Sequence, residues 1–126
     1  MANVQACYLL RLYQAETRVA RRLLSLRDAP RQTGKNVDRI ITEMERQQGI
    51  AYAPHQRQAV TLAALSGVLL LTGGPGTGKT TSTRGIVTLL ERMGLTVLLL
   101  APTGRAAKRM SELCSREAQT IHRCWA

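Results

Sequence analysis

Residues 73–80 read GGPGTGKT, glycines broken by Pro75 and Thr77 and followed at once by a lysine and a hydroxyl. That order fits G-x-x-x-x-G-K-[ST], and its chemistry is phosphate binding. Gly73, Gly74, Gly76 and Gly78 let the backbone bend so that successive N–H groups turn inward toward phosphate oxygens. Pro75, Thr77 and Thr81 complete the stretch that would surround them. Lys79 would reach the β- and γ-phosphates of a nucleotide, and the Thr80 hydroxyl would ligate Mg²⁺. These two carry the chemical role. A helix beginning near Lys79 would add the partial positive charge of its N-terminus, roughly half a unit.

Such a loop needs a strand before it and a helix after it, and the pattern supplies both. Val68–Thr72, VLLLT, is a short apolar run that reads as a strand buried on both faces. A helix follows from Lys79 to Met93, closed by Gly94, and TVLLLA at 96–101 reads as a second buried strand. Strand, helix and strand in that order predict a right-handed crossover in a parallel sheet. Pro102 interrupts, a basic helix runs from Arg105 to Arg116, and Thr120 can cap a last short helix.

The first 50 residues have a different texture. Leu9, Leu12, Val19, Leu23 and Leu26 recur at helical spacing, with arginines opposite, up to punctuation at Pro30 and Gly34. A second helix fits between Asn36 as N-cap and Gly49 as stop, with Val37, Ile40, Ile41, Met44 and Gln48 inward. A third runs from Pro54 to Leu65, ahead of Gly67. Residues 1–50 thus form a helical segment and 51–126 an α/β segment.

Composition limits the partners. In 126 residues a net charge of +10 favours a polyanion such as nucleic acid. With aromatics at 3%, stacking platforms for bases are poorly supported, and backbone tracking by charge is the better expectation. Cys7, Cys114 and Cys124 form no C-x-x-C pair, which suits a reducing cytoplasm. Cys114, His122 and Cys124 lack a fourth ligand and the spacing of a zinc site. The uncharged run 58–78 is long enough to span a bilayer, but its SG and TGGPGTG would break a spanning helix, so no membrane anchor is expected.

Four ordered stretches, YAPHQRQAV at 52–60, TGGPGTGKTT at 72–81, APTGRAAKRM at 101–110 and TIHR at 120–123, resemble superfamily 1 DNA helicases. The RecD-like ATP-dependent branch is the most similar, and YQAETRVARRLLSL at 13–26 resembles the helix upstream of its motor. The resemblance implies a RecA-like P-loop NTPase fold, an α/β parallel sheet preceded by helices, with ATP and Mg²⁺ as cofactors. It implies that Gln56 reads adenine through an amide that both donates and accepts. It also implies that Thr103, Gly104 and Arg105, and then Thr120 and His122, touch the backbone of single-stranded DNA; Lys108 and Arg109 could extend that track.

Hydrolysis needs a further acid at the end of a buried strand. After Lys79 the acids are Glu91, Glu112 and Glu117, and none ends an apolar run. The expectation is therefore a motor domain cut before its Walker B strand, inactive alone, whose sheet is completed by the rest of the helicase or by a partner chain. The alternative is a non-hydrolysing nucleotide- or nucleic-acid-binding module. A small-molecule kinase or GTPase ranks lower, since APTGRAAKRM and TIHR have no role there and no guanine-reading NKxD stretch exists.

Overall fold

A computed structural model describes residues 5–29 and 36–125. Its helices are α1 (Leu10–Asp28), α2 (Val37–Gln48), α3 (Pro54–Leu65), α4 (Lys79–Arg92), α5 (Gly104–Cys114) and α6 (Ile121–Trp125). Two short strands, β1 (Leu99–Ala101) and β2 (Ala118–Thr120), lie on either side of α5 in the chain. The expected punctuation at Pro30 and Gly34 falls outside the described residues.

The core forms where helices α2, α3 and α4 meet. Val37, Ile41 and Met44 come from one face of α2, Val60 and Ala64 from α3, Leu89 from α4, and Tyr52 from the turn before α3. Spacings of three and four place the α2 residues on one stripe, which is why the helix packs there. Ile40 packs at the edge of this cluster, whereas Gln48, expected to face inward, is exposed. Gly49 ends α2 in the left-handed region as expected, but Asn36 precedes it without a side-chain cap. A second cluster joins Val87 of α4, Leu99 of β1 and Cys114 of α5. The carboxylate of Glu91 adds a two-pronged ion pair to Arg116, at 2.8 Å on each prong, joining α4 to the turn after α5.

The chain is mixed α/β with a small, incomplete parallel sheet, yet the strands that pair differ from those expected. β1 pairs with β2 in parallel, Leu99 opposite Ala118 and Ala101 opposite Thr120. Val68–Thr72 forms no ladder among the described residues, and Leu70 is 85% exposed. An apolar run becomes a strand only when a neighbouring backbone takes its hydrogen bonds, and here none does. The parallel crossover is therefore β1–α5–β2, with Ala118 N–H also bonded to Ser111 Oγ at 2.8 Å. Of 96–101, only the last three residues enter the ladder.

Helix α1 forms with its apolar stripe uncovered. Leu12, Val19 and Leu23 are all exposed, and no α1 residue is buried. Its last turn approaches the rest of the chain at Gly67, where an added Cβ would lie 1.7 Å from the Leu26 carbonyl oxygen.

Candidate phosphate-loop site

Turns after Thr72 carry the chain through 73–78 into the first turn of α4. Gly76 and Gly78 adopt φ of +75° and +78°, backbone that L residues enter only at a cost. Within the loop, Thr77 Oγ1 donates to the Gly74 carbonyl at 2.7 Å, and the Lys79 ammonium donates to the Gly73 carbonyl across the turn. Loop and helix start together as the motif requires. Thr80 and Thr81 open α4 with exposed side chains.

Gln56 comes to the loop from a different element. It occupies the third position of α3, where its Oε1 accepts the Ala53 N–H at 3.0 Å. Its Nε2 donates to the carbonyl of Gly78 at 3.4 Å, 22 residues away in sequence. A Cβ built on Gly78 would meet that nitrogen at 2.2 Å, so the close approach depends on glycine. These bonds fix the plane of the amide. They use one lone pair of the oxygen and one N–H of the nitrogen, leaving one acceptor and one donor. Gln56 is half-buried.

Between them, α3 and the loop border an open cavity of about 600 Å³, within the usual size of a small-ligand site. Gln56, Gly73, Gly76, Thr77, Gly78 and Lys79 line it. So do His55, Leu71, Thr72 and buried Ser82, which the motif pattern alone did not single out. Their position beside Gln56 and the loop was the available signal. The donor set, a lysine, hydroxyls and backbone N–H groups at a helix start, suits a polyphosphate with its Mg²⁺.

The remaining predicted residues gather elsewhere. Thr103 caps α5, its Oγ1 accepting the Ala106 N–H at 3.2 Å, and Gly104 and Arg105 begin that helix. Thr120 ends β2 and accepts the Arg123 N–H at 3.3 Å, as its expected capping role requires. Because β1 and β2 are parallel and Ala101 pairs with Thr120, both groups lie at the C-terminal end of the pair. Arg105, Lys108 and Arg109 are exposed, at helical spacing along α5, as is His122 on α6. None of these lines the loop cavity. No group of three or more His, Cys, Asp or Glu suited to a metal occurs among the described residues, and Cys114 is buried while Cys124 is exposed. No described helix is long and apolar enough to cross a membrane.

A glycine-rich phosphate loop opening a helix beside a parallel strand pair defines a P-loop nucleotide-binding domain. Residues 56–126 match the family described as AAA domain, and the chain belongs to that family. Its relatives include RecD-type proteins. It is 38% identical over 118 residues to the ATP-dependent RecD2 DNA helicase of Deinococcus radiodurans, covering 92% of this chain and 16% of that protein. Against RecBCD enzyme subunit RecD of Mycobacterium tuberculosis it is 36% identical over 117 residues, 87% of this chain and 19% of the relative. Against the same subunit of Haemophilus influenzae the identity is 32% over 117 residues, 85% and 18% of the two chains. The chain thus spans less than a fifth of the length of these relatives, and it is homologous to their nucleotide-binding portion.

Proposed function

We propose that the chain binds ATP with Mg²⁺ and single-stranded DNA as part of a RecD-like helicase, in which ATP hydrolysis drives DNA unwinding. The observation that carries the reading is the cavity where Gln56 meets the loop 73–79. In it the free donor and acceptor of Gln56 serve adenine, and the loop N–H groups and Lys79 serve the phosphates; Thr80, in the first turn of α4 and outside the cavity lining, serves the metal in this reading. Bound Mg²⁺ would neutralise charge on the β- and γ-phosphates. Gly73, Gly74, Pro75, Gly76, Thr77, Gly78 and Thr81 complete the nucleotide site.

The DNA track in this reading runs along Thr103, Gly104, Arg105, Thr120 and His122. Their common place at the C-terminal strand ends and the exposed cations of α5 support it. Residues 1–50 act as a helical lead-in and 51–126 as part of the motor. The carboxylate that positions water is expected outside these residues. Glu91 sits on α4 paired with Arg116, and Glu112 and Glu117 are exposed. A cytoplasmic setting follows from the same reading.

Calorimetric titration with ATP and Mg²⁺ tests the nucleotide half of the proposal. The chain should bind, and Lys79→Ala should abolish binding while leaving the circular dichroism spectrum unchanged. Equal affinity in the two proteins would overturn it.

A further inference from the structure

Two charged side chains away from the loop, Glu45 and Arg57, brace the segment that carries Gln56. Glu45 is on α2, and its two oxygens reach different parts of the 52–57 stretch. Oε1 accepts the Tyr52 N–H at 2.9 Å, and Oε2 accepts Arg57 Nη1 at 2.6 Å. The other guanidinium nitrogen of Arg57 donates to Asp38 Oδ1 at 3.2 Å and to Thr42 Oγ1 at 3.1 Å. One guanidinium therefore grips Asp38, Thr42 and Glu45, a row along a single face of α2. Both partners of the central pair are largely covered, with side-chain exposures of 31% for Arg57 and 19% for Glu45.

The brace flanks Gln56 in the chain on both sides. Ala53, whose N–H bonds Gln56 Oε1, follows Tyr52 directly, and Arg57 follows Gln56 itself. Tyr52 is buried, and its hydroxyl lies against Gly85 of α4, where an added Cβ would meet it at 2.8 Å. The same residue that Glu45 holds by its backbone is thus wedged against the helix that begins at the phosphate loop. Fixing 52 and 57 against α2 and α4 fixes the reach of the amide between them.

We infer that Glu45 and Arg57 are positioning residues for base selection, holding the Gln56 amide at the angle that accepts adenine and rejects guanine. This rests on the ATP reading above and deepens it. Adenine presents an N–H₂ donor beside the N7 acceptor, whereas guanine presents two acceptors there. An amide held with oxygen and nitrogen in fixed places matches the first and opposes the second. An amide free to swing away gives up its bond to the adenine N–H₂ and escapes the opposition of guanine O6, so the distinction weakens.

The test uses the 126-residue chain, with titrations of ATP, GTP and inorganic tripolyphosphate, each with Mg²⁺, against wild type, Glu45→Gln, Arg57→Met and Gln56→Ala. Glu45→Gln and Arg57→Met should each lower the preference for ATP over GTP about tenfold, the scale of one well-placed hydrogen bond. Tripolyphosphate affinity should stay within about twofold of wild type, since it reads the loop without the base. Adding either change to Gln56→Ala should lower the preference no further. If Gln56→Ala removes the preference but neither brace variant moves it, the inference is overturned. It is equally overturned if tripolyphosphate binding falls in parallel in both, because the brace then merely holds the fold. A wild type that binds tripolyphosphate but shows no preference sensitive to Gln56 overturns the adenine reading itself, a separate and recognisable outcome.

Discussion

Replacing Gly78 by alanine should have two consequences that replacing Gly76 by alanine separates. Both positions have positive φ, +78° and +75°, so either alanine should cost roughly 1–2 kcal/mol of stability through backbone strain alone. Their surroundings differ. A Cβ at Gly76 meets nothing within 4 Å, whereas at Gly78 it falls 2.2 Å from Gln56 Nε2. That nitrogen ends a flexible side chain, so the amide should swing aside and the fold should survive. The bond it loses, 3.4 Å long, is weak and adds no more than about 0.5 kcal/mol to the strain. Urea unfolding should therefore rank the two variants nearly equal, each below wild type. Nucleotide titration should not. The ratio of ATP to GTP affinity should fall about tenfold in Gly78→Ala, the equivalent of roughly 1.4 kcal/mol, and stay near wild type in Gly76→Ala. Taking the ratio removes any direct effect of either methyl on the phosphates. Equal ratios in the two variants, or a Gly78→Ala protein as stable as wild type, would refute the reasoning.

Three further outcomes are expected. Single-strand binding should weaken with salt at a log–log slope of about −0.7 per phosphate neutralised, and Arg105→Ala should reduce the slope by about one such step; an unchanged slope would remove Arg105 from the track. The Arg116 guanidinium holds the Glu91 carboxyl below the ordinary carboxylate value of 4.5. A lowered carboxylate stabilises the folded chain above its unfolded value and loses that effect as pH falls through the folded one. The stabilities of wild type and Glu91→Gln should accordingly converge as pH falls below the ordinary carboxylate value, with wild type the more stable above it. Burial raises the Cys114 thiol, while Cys7 and Cys124 are exposed, so a disulfide reagent should show two fast thiols and one slow one, the slow one absent in Cys114→Ala.

What sequence could show of this chain follows from the range of each interaction. The phosphate loop was legible because its glycines, lysine and threonine act within eight consecutive residues. Helices α2 to α5 were legible because spacings of three and four are local, and Gly49 and Pro102 are local punctuation. Pairing in the sheet is not local. Ala118–Thr120 has no apolar run to announce it, and becomes a strand because β1 lies beside it in register. Val68–Thr72 has the run without the neighbour. The stripe of α1 marked a helix correctly but could not say whether anything covers it, and nothing described does. Arg57 looked like one arginine among many, since its partners Asp38, Thr42 and Glu45 stand 12 to 19 residues away.

The central claim is that one nucleotide site is formed by Gln56 and the loop 73–81. The most direct measurement is the ¹⁵N–¹H spectrum of the labelled chain during titration with a non-hydrolysable ATP analogue and Mg²⁺. Saturable shifts should appear at the backbone amides of 73–81 and at the Gln56 side-chain amide, with Arg105 and His122 unmoved until single-stranded DNA is added. Saturable shifts that avoid Gln56 and the loop, or a spectrum that does not move at all, would contradict the account.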